Sequence, residues 1–276
     1  MEEMKKRGKC SLICVIGGVT VIAPLNEEQM EQMLANEFGG MDEIYADAYR
    51  MTKEKKYLDA AKRFSHKWLF NSMVVHVDNL DNKHANTQVP KVVGYARIAK
   101  VDKDKQYANA ADFFWDRVVN HRSLSLGANS RREHFAPADD CKSYVEDREG
   151  QESCNMNNML KLTENLFRMN PSAKYADFYE RALYNHILST QHPEYGGYVY
   201  FTPVRPAHYR VYSSPNSAMW CCVGTGMENH GKYGEFIYTH VHDSLFVNLF
   251  IASELKWKEK GIVIMQQTNV VDRTCH

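Results

Sequence analysis

The sequence has no excess charge of either sign. Its 276 residues hold 34 Lys and Arg against 34 Asp and Glu, a formal net charge of zero with the twelve histidines neutral. Chains that neutralise nucleic-acid phosphates concentrate Lys and Arg, so no nucleic-acid partner is expected. Seven cysteines are too few for a disulfide scaffold. Nor is there an apolar run of the ~20 residues that cross a bilayer as a helix. The uncharged stretch from Cys10 to Leu25 is short of that and contains Gly17, Gly18 and Pro24. It follows Lys5, Lys6, Arg7 and Lys9, as the apolar run of a secretion signal would. Against a signal, Glu2 and Glu3 precede the basic cluster and no clear small-residue cleavage site follows. A packed N-terminal segment, or the start of an incomplete chain, are the other readings. No membrane partner is expected.

What remains is an ordinary globular composition, 44% hydrophobic and 25% charged, which excludes disorder and collagen-like repetition. It suits one large domain, or one domain and part of another. Sixteen tyrosines raise the aromatic share to 12%. Such rings line polar pockets and fill helical cores alike.

Helical periodicity recurs over 26–37, 41–51, 55–70, 86–99, 105–120, 152–168 and 173–189. Asn26 and Gln29 form a capping-box pattern at the first of these. An internal echo runs through the set: YRMTKEKKY (49–57), YARIAKVDKDKQY (95–107) and FRMNPSAKY (167–175). Each joins an aromatic and basic helix end, a polar turn and a Tyr that opens the next helix. These are αα-hairpins whose apolar stripes need neighbours to cover them. The expected fold class is therefore mainly α, an incomplete (α/α)6 barrel, a toroid of helical hairpins. Beyond Gln191 the pattern becomes β-like. Tyr198–Thr202 and His208–Tyr212 alternate as a hairpin would, a helix is expected from Met227 to about Tyr238, and Leu245–Ile251 and Gly261–Gln267 read as strands. The expected division is 1–25, an unmatched N-terminal segment; 26–238, a partial catalytic barrel; and 239–276, the beginning of a β-sandwich.

Three pieces carry chemistry: Glu152-Ser153-Cys154, the vicinal pair Cys221-Cys222, and Arg132-Glu133-His134-Phe135. Three thiolates and a carboxylate fill a tetrahedral zinc site. Glu152 and Cys154 converge on one ion only from extended or helix-entry backbone, ahead of a helix read over Asn157–Met169. Adjacent cysteines need a sharply turned backbone, for which Gly224 and Gly226 supply freedom. The plain alternative is a set of buried, inert thiols. His84, His134 and His230 are candidate sugar-binding donors, though a lone histidine is more often structural.

The segments NEFGGMDE (36–43), HANTQVPK (84–91), REHF (132–135), ESCNMNNMLKLT (152–163), YADFYERALYNHIL (175–188) and WCCVGTGMENHGKYGE (220–235) resemble glycoside hydrolase family 127, the β-L-arabinofuranosidases. The resemblance spans about residues 26 to 257. It implies a zinc-dependent retaining glycosidase on an (α/α)6 barrel with β-sandwich domains, acting on a plant-type oligosaccharide or glycoconjugate. On the matching positions, Glu152, Cys154, Cys221 and Cys222 would hold Zn2+, Cys221 would be the nucleophile and Glu133 the acid/base, with His84 and Tyr200 contacting sugar. Full-length members of this kind are about twice as long and are expected to form homodimers, so the chain reads as a fragment. The alternative function is a catalytically impaired fragment with a structural zinc and residual carbohydrate binding. An (α/α)6 epimerase or lyase would need no cysteine-rich site. Unpaired thiols favour a cytoplasmic location, with secretion or a periplasmic location left open.

Overall fold

The computed structural model describes residues 15–36 and 40–268. Cys10, Cys14, Cys275 and the centre of the NEFGGMDE motif lie outside those residues. Residues 15–22 are helical, with Val15 and Ile22 buried in the core. Gly18 leaves room for the Tyr45 hydroxyl where a Cβ would stand. That seats the segment against the first hairpin.

The helices are α1 (Glu27–Leu34), α2 (Met41–Thr52), α3 (Lys55–Arg63), α4 (Lys67–Val74), α5 (Ala85–Asp102), α6 (Lys105–His121), α7 (Cys141–Glu146), α8 (Ser153–Met169), α9 (Ala173–Ala182) and α10 (Cys221–Gly231). The capping box at α1 forms as expected, with Asn26 and Gln29 exchanging two hydrogen bonds of 2.9 Å. Three hairpins follow, α2/α3, α5/α6 and α8/α9. Helices α2, α5 and α8 pack side by side as an inner layer, and α3, α6 and α9 each cover one of them from outside. This is the alternation of an (α/α) toroid, seen over three hairpins. The echoed corners work through local chemistry. Lys53 and Lys103 end α2 and α5 in left-handed conformation, at φ 62° and 56°. Tyr57, Tyr107 and Tyr175 then turn inward and are buried. Between layers, Trp115 of α6 donates to Thr163 of α8 (2.8 Å) and meets Tyr175 and Phe178 of α9 edge-on. Each wholly buried side chain of this kind, such as Phe114, contributes about 1.5–3 kcal/mol.

Several expected elements take a different course. The run expected over 55–70 breaks at His66, which is left-handed at φ 50° and starts α4. The run over 173–189 leaves α-geometry at Leu183–Ile187, a π-turn. Tyr198–Thr202 and His208–Tyr212 do not form a regular hairpin; only Val199 and Tyr212 bridge. Instead β2 (Phe201–Thr202) pairs antiparallel with β1 (Gln151–Glu152). The helix expected from Met227 starts at Cys221 and ends at Gly231. Tyr238 opens a strand: β3 (Tyr238–Val241) pairs with β4 (Ser244–Val247), and β5 (Ser253–Trp257) with β6 (Ile262–Gln266). Phe236 and Phe246 pack edge-on against Phe167, docking the first of these small sheets on the end of α8.

Candidate metal and catalytic site

Two helix starts and one short strand pair build the site. Glu152 has extended backbone (φ −92°, ψ 133°) and caps α8, placing Cys154 in the first turn. Trp220 is likewise extended, and Cys221 and Cys222 are the first two residues of α10. No sharp turn is needed at the vicinal pair, because consecutive residues entering a helix can both face a neighbouring helix start. Gly226 has another purpose: a Cβ there would come within 2.6 Å of the Tyr198 ring. Helices α8 and α10 pack together, so two positive dipole ends converge on the sulfurs and favour thiolate.

The donor atoms of Glu152, Cys154, Cys221 and Cys222 all lie within 4.8 Å of one another and could hold a metal ion. Cys154 Sγ is 3.3 Å from Cys222 Sγ, and Glu152 Oε1 is 3.7 Å from Cys222 Sγ and 3.9 Å from Cys221 Sγ. Glu152 Oε2 is buried with no hydrogen-bond partner, an orphaned acceptor that a cation would satisfy. The electrostatics agree. Burial, with the Cys222 charge next, pushes the Glu152 carboxyl up to about 8. The proton that Cys154 gives to Cys222 raises the Cys154 thiol and lowers that of Cys222. Burial and the Cys222 charge raise Cys221. Glu152, Cys154 and Cys221 thus resist ionisation beside Cys222, and a bound cation reverses that. The donors fit a metal.

The four are not equivalent. Glu152, Cys154 and Cys222 are buried, whereas Cys221 is exposed. Cys221 Sγ stands 3.7 Å from the Tyr200 hydroxyl, which donates to Glu133 Oε1. Tyr200 arrives by way of the β1–β2 pairing, in which Glu152 sits opposite Phe201. Burial, and then the bond to Glu133, raise the Tyr200 phenol, so it serves as a neutral donor.

Glu133 comes from a loop laid beside the entry to α5. Its carbonyl accepts from the Ala85 amide (2.7 Å), and Phe135 donates to Lys83 (2.9 Å). Ser130, Arg132 and Glu133 are left-handed, at φ 70°, 47° and 66°, conformations that cost energy in non-glycine residues. His84 Nδ1 accepts from the Thr87 amide at 3.2 Å, leaving the proton of the neutral ring on Nε2, 3.6 Å from Glu133 Oε2. His134 lies edge-on to His84 at 5.2 Å. His230 turns to Tyr198, Tyr233 and Thr190, none of them in the cluster.

Glu152, Cys154, Cys221, Cys222, Tyr200, Glu133 and His84, with His134 beside His84, thus meet in one place, whereas His230 stands apart. A profile of the β-L-arabinofuranosidase, GH127 catalytic domain matches residues 13–235. The chain belongs to glycoside hydrolase family 127.

Similar solved structures share this helical-barrel fold. One is a GH127 β-arabinofuranosidase, 24% identical, with a TM-score of 0.66 over 83% of this chain and 38% of that one. Another is a GH127 β-L-arabinofuranosidase from Geobacillus stearothermophilus T6, 18% identical, at 0.64 over 83% of this chain and 42% of that one. A third, described as a glycoside hydrolase, is 18% identical, at 0.64 over 83% and 44%. The GH127 chain therefore spans about two fifths of the length of these solved relatives. No curated protein matches it.

Two features were missed from sequence. Thr225 Oγ1 lies 3.0 Å from Cys154 Sγ; its place four residues after Cys221, one helical turn, is a signal once the helix is known to start there. A cleft of about 290 Å³ lined by Tyr200, His208, Tyr209 and Trp220 also adjoins the site. A larger one, about 680 Å³, lies between the two C-terminal sheets and contains no member of the cluster. Among the described residues no helix is long and apolar enough to cross a membrane.

Proposed function

We propose that this chain carries the centre of a zinc-dependent retaining glycosidase that releases β-L-arabinofuranose, or a related sugar, from plant-type glycans. One observation carries the reading: of the four clustered donors only Cys221 is exposed, and it faces a tyrosine hydroxyl bonded to Glu133. Nucleophile and proton donor therefore share one opening. Glu152, Cys154, Cys221 and Cys222 would hold the ion, and the Cys3Glu set suits zinc. When bound, zinc holds the thiols as thiolates at neutral pH, where a free thiol of pKa about 8.5 is mostly protonated.

The chain's own residues supply the displacement. Cys221 sulfur forms a bond to the anomeric carbon as the bond from that carbon to the leaving oxygen breaks. Glu133 gives its proton to that oxygen. In the second step Glu133 takes a proton from water, the water oxygen bonds to the anomeric carbon, and the carbon–sulfur bond breaks. The Tyr200 hydroxyl donates to Oε1 of Glu133 and orients its carboxyl group, with His84 Nε2 3.6 Å from the other oxygen. We place the protein in a reducing compartment, the cytoplasm, because Cys154 and Cys222 are near enough to be oxidised together.

The test is release of p-nitrophenol from its β-L-arabinofuranoside, with and without a chelator, alongside the bound-metal content. Metal-dependent release is expected. Stoichiometric metal without release would point to a structural zinc, and release that survives complete metal removal would overturn the mechanism.

A further inference from the structure

Thr225 touches both halves of the cluster. Its Oγ1 lies 3.0 Å from Cys154 Sγ at the start of α8 and 3.3 Å from the Cys221 carbonyl at the start of α10. The hydroxyl has one proton and can give it to only one of them. As a thiolate, Cys154 can only accept, and a hydrogen bond to a charged acceptor is the stronger one. The Thr225 proton then belongs on sulfur.

We propose that Thr225 is a positioning residue that donates to the Cys154 thiolate, fixing Cys154 as the anchored ligand and leaving Cys221 as the uncommitted, reactive sulfur. This rests on the metal reading above. The contrast with Cys221 supports it. The hydroxyl facing Cys221 is that of Tyr200, at 3.7 Å, and its proton is given to Glu133. A hydrogen bond draws charge from a sulfur and lowers its nucleophilicity, so the two thiolates are made unequal by which one receives a proton.

The test uses Thr225→Val, which keeps the branched shape and removes the hydroxyl, with Thr225→Ala as a second removal and Thr225→Ser as the restoring variant. Zinc affinity is read by competition with a chromophoric chelator. The sulfur-to-cobalt charge-transfer band is read after loading with Co2+. Val and Ala should weaken zinc binding by about tenfold or more and move the band to longer wavelength, because the sulfur lone pair loses its hydrogen bond. Ser should return both to the parent values. Parent-like affinity and band in Val and Ala, or a Ser variant displaced as far as Val, overturns the proposal alone. A parent chain that binds neither ion stoichiometrically overturns the metal reading, and this role with it.

Discussion

The two sides of the site are built in opposite ways. The sulfur side stands on the first turns of α8 and α10, with helical or extended backbone and three of its four donors buried. The Glu133 side is a loop with left-handed residues at 130, 132 and 133, tied to the entry of α5 by backbone hydrogen bonds. On the proposed reading the sulfur side is a metal cage, which needs short fixed distances among several donors, and helix starts provide them together with a favourable dipole. On the same reading a proton donor must instead reach a substrate atom, and a loop in uncommon conformation places the Glu133 carboxylate beside Tyr200. Disturbing the first side should therefore cost stability as well as chemistry. Disturbing the second should cost chemistry alone.

The largest effect is expected at the exposed member of the sulfur side. Cys221→Ser should lower turnover on the order of 10^4-fold or more and leave a cooperative thermal melt; near-parent turnover would remove Cys221 from the chemistry. Glu133→Gln should cost about 10^2–10^4-fold, most with poor leaving groups, while keeping metal content and melting temperature. If its melting temperature falls as far as chelation takes it, the contrast between the two sides fails. Chelation itself should lower the melting temperature by roughly 10 °C, since a ligand bound only by the folded state stabilises it; an unchanged melt would mean that the cage forms without a cation.

The smallest effect concerns the support beneath α10. The π-turn Leu183–Ile187 packs against α8 and α10 and holds His186, wholly buried, with neither ring nitrogen hydrogen-bonded. Burial pushes its pKa down to about 3, against about 6.5 in an unfolded chain. Between those values the unfolded chain takes up a proton that the folded one refuses. Stability is intact above pH ~6.5 and falls toward pH ~3, by on the order of 1 kcal/mol per pH unit. Urea unfolding at pH 7 and pH 5 should show this loss in the parent and less of it in His186→Leu. An equal loss in both would place the acid sensitivity elsewhere.

The hairpins were legible because their corners are local. A basic helix end, a polar turn and an inward Tyr recur at 57, 107 and 175, and all three tyrosines are buried. The start of α10 was not legible. Gly224 and Gly226 read as turn residues, and only the packing of the Tyr198 ring on Gly226 explains a glycine inside that helix. Of the run expected over Tyr198–Thr202 only Phe201–Thr202 is strand, and its partner is β1, about fifty residues upstream, where Gly150 has no Cβ to meet the Thr202 carbonyl. The break at His66 left no mark in the periodicity.

By itself the sequence determined the helical hairpins and the family and pointed to the residues that cluster, because periodicity, corner chemistry and side-chain type are properties of short segments. Which sulfur is exposed, which hydroxyl links it to Glu133 and which reaches Cys154 were decided only by the docking of α8, α10, β2 and the Glu133 loop. Exposure and distance are relations between segments far apart in the chain, and the packing of one on another sets them.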